Sequence, residues 1–307
     1  MAINRWGGAL ACGLMVSIFM DCSAGAQEAS ARITNLRHML ADETADHVFV
    51  IAHRGCWKET SENSLAAIRA CVDMGVDMVE IDVRPTRDGV LVLMHDDTID
   101  RTTNGAGKLS DFTYEELKQF RLKEGKGGKD AALTQEQIPT FREAMESARG
   151  EVLVNLDAKA DVYEDAFDVL KTTGTIDQIV MKKWMAPEDS PIGAVAPFNQ
   201  VMAMPVLSEE TAPDLDSFAT QFSANPIAIE FIVSSLDFAR QAGLKAQESQ
   251  SRAWINTLAD WLSAGRTDAQ AMTDPDSVWG LYMDLGFTMI QTDEPQSLIG
   301  YVNARQE

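Results

Sequence analysis

Positive charge is scarce in this 307-residue sequence: 26 lysines and arginines stand against 47 aspartates and glutamates, a formal net charge of -21. That sign excludes electrostatic adhesion to nucleic acid or to anionic lipid. It also repels an anionic substrate at long range, so such a substrate needs a local reversal of sign from a bound metal and a few cationic side chains. Histidine is scarcer still, with four residues in the chain. Biased or low-complexity tracts are lacking, and the 45% hydrophobic and 24% charged residues are the balance of a folded soluble protein.

Long apolar runs are missing except at the start. Residues 7–20 follow Arg5, and Ala24-Gly25-Ala26 then supplies the small residues that a signal peptidase accepts, so residues 1–26 read as a cleaved secretory signal. The run falls short of the roughly 18 residues that make a membrane span plausible. A lipid anchor on Cys22 fits poorly because Asp21 precedes it. The expectation is an exported protein, periplasmic or secreted, with no stable membrane insertion once the signal is gone. Cleavage removes one charge of each sign, Arg5 and Asp21, and leaves the net charge unchanged. Residues 27–307 are read as one domain, since an α/β barrel of roughly 250 residues is an ordinary single domain.

Cysteine is also rare. Of four, Cys12 and Cys22 leave with the signal. Export permits a bridge between Cys56 and Cys71, but Cys71 lies near the far end of a predicted helix over 63–74 that spans roughly 15 Å. Bridged Cα atoms lie roughly 4.4 to 6.8 Å apart, so two unpaired thiols are expected.

Short apolar runs alternate with longer amphipathic ones, the pattern of strand and helix units around a parallel sheet. Strands are predicted at 48–52, 78–83, 152–156, 179–182, 200–205, 227–231, 252–256 and 287–291, and helices at 63–74, 140–148, 162–172, 235–242 and 294–303. Eight strands suggest a closed (β/α)8 TIM barrel, with an open doubly wound sheet as the alternative because periodicity does not report closure. A long polar, glycine-rich insertion at about 97–138, after the second strand region, breaks the rhythm; its place after His95 predicts a lid or binding wall.

Within these elements the chemistry concentrates at a few positions. Along a strand, Glu80 and Asp82 project from one face and Val79, Ile81 and Val83 from the other. Paired acids on a barrel's interior face call for a divalent cation, although an exposed strand end with solvated acids would also account for them. Asp157 could complete the ligand set, with Lys159 facing the same cavity. An all-oxygen set favours Ca²⁺ or Mg²⁺, with Mn²⁺ compatible. His53 ends an apolar strand and is followed by Arg54 and Gly55, while His95 ends the run VLVLM and precedes two aspartates, one able to orient its ring. His38 and His47, in a polar stretch, are read as solvated.

These motifs resemble those of the glycerophosphodiester phosphodiesterase family: HRG at 53–55, SENS at 61–64, EID at 80–82, TRDG at 86–89, HD at 95–96, RTTNGAG at 101–107, DAK at 157–159, WIN at 254–256 and TDEP at 292–295. The resemblance runs over about residues 48–303 and implies a (β/α)8 barrel with its site at the C-terminal ends of the strands. It implies that His53 and His95 are the acid and base, that Glu80, Asp82 and Asp157 hold one divalent cation, and that Arg54 and Lys159 contact the phosphate. Trp254 would wall the pocket, and Glu62 would belong to the polar surroundings. The implied substrate is a small glycerophosphodiester, cleaved to glycerol phosphate and an alcohol either through a cyclic phosphate or by direct attack of water.

Asp157 departs from the glutamate usual in that family and is similar to the sphingomyelinase D enzymes, which makes a phospholipid lyase one rival reading. A non-catalytic exported binding protein on the same barrel is another. Neither the alcohol nor the oligomeric state can be read from the residues.

Overall fold

The computed structural model describes Met1 and residues 31–42, 44, 46–211 and 213–306. The expected signal at 1–26 and its Cys22 lie outside the described residues, apart from Met1. No helix among the described residues is long and apolar enough to cross a membrane.

The chain forms a closed (β/α)8 TIM barrel. Eight parallel strands, β1 (Phe49–Ala52), β2 (Met78–Pro85), β4 (Leu153–Ala158), β5 (Ile179–Trp184), β6 (Met202–Ser208), β7 (Ala228–Ile232), β8 (Arg252–Asn256) and β9 (Phe287–Thr292), pair in ring order, and β1 closes the circle against both β2 and β9. One further strand, β3 (Leu91–Leu93), was not predicted; it lies antiparallel on β2 as a short hairpin arm.

The two-residue period of a strand sorts the barrel into layers. Outward residues such as Val79, Ile81, Val154, Leu156 and Met181 pack under the helices, while inward Phe49, Met78, Leu153, Val180, Met204, Ala228, Trp254 and Met289 fill the floor. Two residues further along β2, β4, β5, β7 and β9 the inward positions turn polar: Glu80, Asn155, Lys182, Glu230 and Gln291 are all buried. Helical residues 31–41 (α1) close the N-terminal end, their Ile33, Leu36 and Leu40 joining the floor. Arg252 fixes that plug by donating to the carbonyls of Leu40, Met39, Asp42 and His47.

Helix starts follow local chemistry. Ser64 caps α2 (Leu65–Met74) by accepting from the Ala67 N–H at 3.0 Å. Thr140 and Glu143 form a capping box at α3 (Phe141–Ala148), which turns the chain out of the insertion. The insertion has its own apolar core of Ile99, Leu109, Leu117, Leu122 and Ile138, which packs on Met94 beside β3. It is tied to the loop after β1, where the Glu62 N–H donates to Gly125 O at 2.9 Å and the Gly125 N–H to Thr60 O at 2.6 Å.

The cysteines correct the sequence reading. Cys56 and Cys71 are joined in a disulfide with Cα atoms 5.2 Å apart. The loop after β1 doubles back along α2 instead of leading straight into it, so the Cys56 N–H bonds Ala67 O at 3.2 Å, one helical turn from Cys71. Gly55 makes that approach possible: its φ is +77°, and a Cβ there would meet the Ala67 Cβ at 2.8 Å.

Candidate active site

The C-terminal ends of β1, β2, β4 and β9 bring together residues far apart in sequence. Glu80, Asp82 and Asp157 each bring a carboxylate oxygen to within 4.8 Å of the others. Glu80 and Asp82 are buried and in register with Asn155 and Asp157 on the neighbouring strand. Both hydrogen bonds to Glu80, from the Arg54 N–H at 3.0 Å and from Gln291 Nε2 at 3.3 Å, end on Oε2, which leaves Oε1 without a donor among the described residues. A hard, oxygen-only group with a spare carboxylate oxygen fits Mg²⁺, Ca²⁺ or Mn²⁺. Burial and the neighbouring Asp82 raise the Glu80 carboxyl well above its usual range, the mark of a cluster short of positive charge.

Cations supplied by the protein offset the other two acids. Lys159 Nζ lies 3.0 Å from Asp82 and 2.9 Å from Asp157, and Lys182 Nζ lies 3.1 Å from Asp157 and 3.3 Å from Glu230. Burial alone would raise Asp157, but the two ammonium groups outweigh it and hold the carboxyl below its ordinary range. Asn63 fixes Asp82 from both sides: its Nδ2 donates to Oδ2 at 2.7 Å, and its Oδ1 accepts from the Asp82 N–H at 3.0 Å.

The two histidines are oriented by separate carboxylates. His53 Nδ1 meets Asp293 Oδ1 at 2.8 Å, and Asp293 is held by Trp57 Nε1 at 3.2 Å, by Lys126 from the insertion, and through its own N–H by Asp268 at 2.7 Å. Burial lowers the His53 pKa, and Asp293 offsets this only in part. His95, two residues past β3, meets Asp96 Oδ1 at 2.7 Å. From there a continuous chain of ion pairs runs through Arg101 to Glu62 and on to Arg54, with contacts of 2.7 Å (Asp96 to Arg101), 2.7 Å (Arg101 to Glu62) and 3.1 Å (Glu62 to Arg54). Arg54, at φ +56°, also sets its Nε 3.3 Å from Asp82.

Eight of the nine sequence-derived residues thus belong to one network: His53, His95, Glu80, Asp82, Asp157, Arg54, Lys159 and Glu62. Trp254 does not line the mouth. It has no exposed surface, belongs to the floor, and reaches the polar layer through its Nε1 bond to Asn256 (2.7 Å), which donates in turn to Glu230 (2.7 Å). The sequence reading missed Lys182, Glu230, Asn63, Arg101 and the role of Asp293. Lys182 and Glu230 were detectable in principle, as single charges at inward positions of apolar strands; the partnership of Asp293 with His53 depends on ring closure.

Residues 53–187 match the sequence model of the glycerophosphoryl diester phosphodiesterase family, and residues 202–302 match one described as a domain of unknown function. Over 114 residues the chain is 44% identical to a glycerophosphodiester phosphodiesterase of Caldanaerobacter subterraneus, covering 37% of this chain and 46% of that one. Over 140 residues it is 39% identical to glycerophosphodiester phosphodiesterase 1 of Bos taurus, covering 45% and 42%. The chain therefore matches less than half the length of these curated relatives. Among solved structures, a glycerophosphoryl diester phosphodiesterase of Parabacteroides distasonis superposes with a TM-score of 0.66 at 25% identity, covering 89% of this chain and 92% of that one. An Oleispira antarctica phosphodiesterase in complex with its product sn-glycerol-3-phosphate shares the fold, with a TM-score of 0.60 at 22% identity and coverage of 83% and 96%.

Proposed function

Residues 53–187 of this chain belong to the glycerophosphoryl diester phosphodiesterase family, and on that premise we propose that the protein is a metal-dependent phosphoric diester hydrolase that releases glycerol phosphate and an alcohol from small glycerophosphodiesters. The observation that carries the proposal is two carboxylate-oriented histidines placed with a three-carboxylate cluster at one barrel mouth.

Glu80, Asp82 and Asp157 would hold one divalent cation, with Ca²⁺, Mg²⁺ and Mn²⁺ all compatible; when bound, it would supply positive charge to a phosphate oxygen and make a nearby hydroxyl more acidic. With Nδ1–H given to Asp293, His53 keeps the Nε2 lone pair, and its lowered pKa keeps it neutral, as a base requires. It removes the proton from the attacking hydroxyl, either a water, which gives glycerol phosphate directly, or the glycerol 2-hydroxyl, which gives a cyclic phosphate that a water then opens to glycerol phosphate. His95, paired with Asp96, protonates the departing alcohol. Arg54 and Lys159 supply positive charge beside the phosphate. The Cys56–Cys71 bridge supports an exported, oxidising location.

The test is to strip the protein of metal, return Ca²⁺, Mg²⁺ or Mn²⁺ in turn, and offer deacylated diesters alongside lysophospholipids. Release of glycerol phosphate from the deacylated diesters supports the proposal. Cleavage of the lipids alone, leaving a cyclic phosphate, favours the lyase reading.

A further inference from the structure

We propose that the half of the barrel mouth built by β5 to β8 is a subsite for an organic ammonium group, so that the preferred diester carries a cationic alcohol. The substrate assignment rests on the phosphodiesterase reading above; the ammonium site stands on its own geometry. A cavity of about 460 Å³ opens there, lined by Trp184, Trp261, Ile232, Ser208, Glu210 and Asp260 among others.

Strand periodicity places this cavity at the same end of the barrel as the histidines and carboxylates, above the polar layer. Trp184 follows Lys182 by two residues on the same face of β5, and Ile232 follows Glu230 likewise on β7. Two residues of strand rise roughly 7 Å, so the Trp184 and Ile232 side of the cavity lies about that far above the Lys182–Glu230 ion pair.

Its lining is unusual for a surface. Trp184 is 54% and Trp261 is 64% exposed, and these large rings are otherwise spent on solvent. The face of an indole attracts a cation. The carboxylates of Glu210 and Asp260 have no hydrogen-bond or ion-pair partner among the described residues. Adjacent Glu209 shows the contrast, since it accepts from the Ser234 and Ser235 N–H groups at 2.7 and 2.9 Å. No Lys, Arg or His is among the described residues that line the cavity, and Lys183 points away, over the ring of Phe198.

The two halves of the mouth therefore offer different partners. Arg54 and Lys159 stand on the β1 to β4 half, where the phosphate would sit, and two aromatic faces with two unpaired carboxylates stand on the β5 to β8 half. A zwitterionic diester with a quaternary or primary ammonium head matches that separation of charge, whereas a neutral or anionic head gains nothing from it.

The experiment compares kcat/KM for glycerophosphocholine, glycerophosphoethanolamine and the neutral-headed glycerophosphoglycerol, using wild type, Trp184→Ala, Trp261→Ala, Trp261→Phe and Asp260→Asn. The cationic diesters should be preferred by roughly tenfold or more, the worth of one or two desolvated cation–π contacts. Both alanine variants should lose that preference through KM while keeping the glycerophosphoglycerol rate, and Trp261→Phe should retain most of it. Equal kcat/KM for charged and neutral heads, or a preference unchanged in both alanine variants, overturns the proposal. So does cleavage of lysophosphatidylcholine as fast as glycerophosphocholine, which would set an acyl chain against the rings. Calorimetric titration with choline chloride separates the two readings: binding to wild type but to neither alanine variant supports the subsite even if no diester is cleaved, and absence of binding to wild type overturns it.

Discussion

His53 Nδ1 and Asp293 Oδ1 lie 2.8 Å apart across 240 residues of sequence, joining the end of the first barrel strand to the turn after the last. The contact exists only because the ring closes, and it fixes which imidazole nitrogen is free. Asp293→Asn keeps the shape but removes the charge that holds the tautomer. It should lower kcat by roughly 10² to 10⁴ with little change in KM, read from initial rates of glycerol phosphate release. An equal rise in KM with kcat intact would assign Asp293 to binding.

The same pair sets the acid side of the pH profile. Burial holds His53 below its ordinary value of 6.5, and a base works only when neutral, so activity lost to its protonation should fall away below pH 6.5. Removing Asp293 removes the interaction that raises this pKa, so the acid limb of kcat/KM should move to still lower pH in Asp293→Asn, even as the rate drops. A limb that moves upward would contradict the assignment of His53 as the base.

Lys182 and Glu230 sit in the barrel's polar layer, and Lys182 also reaches Asp157, one inward position further along β4. Lys182→Met leaves two acids without their shared cation and should cost about 3 to 5 kcal/mol of unfolding free energy by urea titration. Ca²⁺ or Mg²⁺ should restore more stability to this variant than it adds to wild type, because the added cation neutralises Asp157. Identical metal gains in the two proteins would mean that Asp157 lies outside the ligand set.

The Cys56–Cys71 bridge closes a 15-residue separation that includes Trp57, Glu62 and Asn63. Replacing both cysteines by alanine should cost about 3 kcal/mol by the loop-entropy relation. It should also lower activity beyond the loss of folded protein, since Glu62 and Asn63 position Arg54 and Asp82. Thermal denaturation and specific activity of the folded fraction separate the two effects.

Much of this architecture can be read from residues two apart. The alternation that sends Val79 and Ile81 under the helices sends Glu80 and Asp82 inward, and the eight predicted strands coincide with the barrel strands to within two residues at most ends. Where contacts depend on loop course, the pattern is silent. Cys56 and Cys71 look too far apart along a helix until the β1 loop folds back over it, and Trp254 looks like a wall until its distance from the mouth along β8 is known. The insertion reads as polar and glycine-rich, yet Gly127 marks a packed contact: a Cβ there would meet Arg101 O at 2.2 Å. Only the three-dimensional chain of Arg54, Glu62, Arg101 and Asp96 explains why such a segment holds His95 in place.

The central claim is that His53 works as the base in phosphodiester cleavage at this mouth. The most direct measurement follows ³¹P resonances of a glycerophosphodiester with metal-loaded wild type and with His53→Ala, whose fold is checked by circular dichroism. Wild type should convert the diester signal to a phosphomonoester, and the folded variant should be slower by roughly 10² to 10⁴. A folded His53→Ala protein that forms the monoester at the wild-type rate would contradict the account.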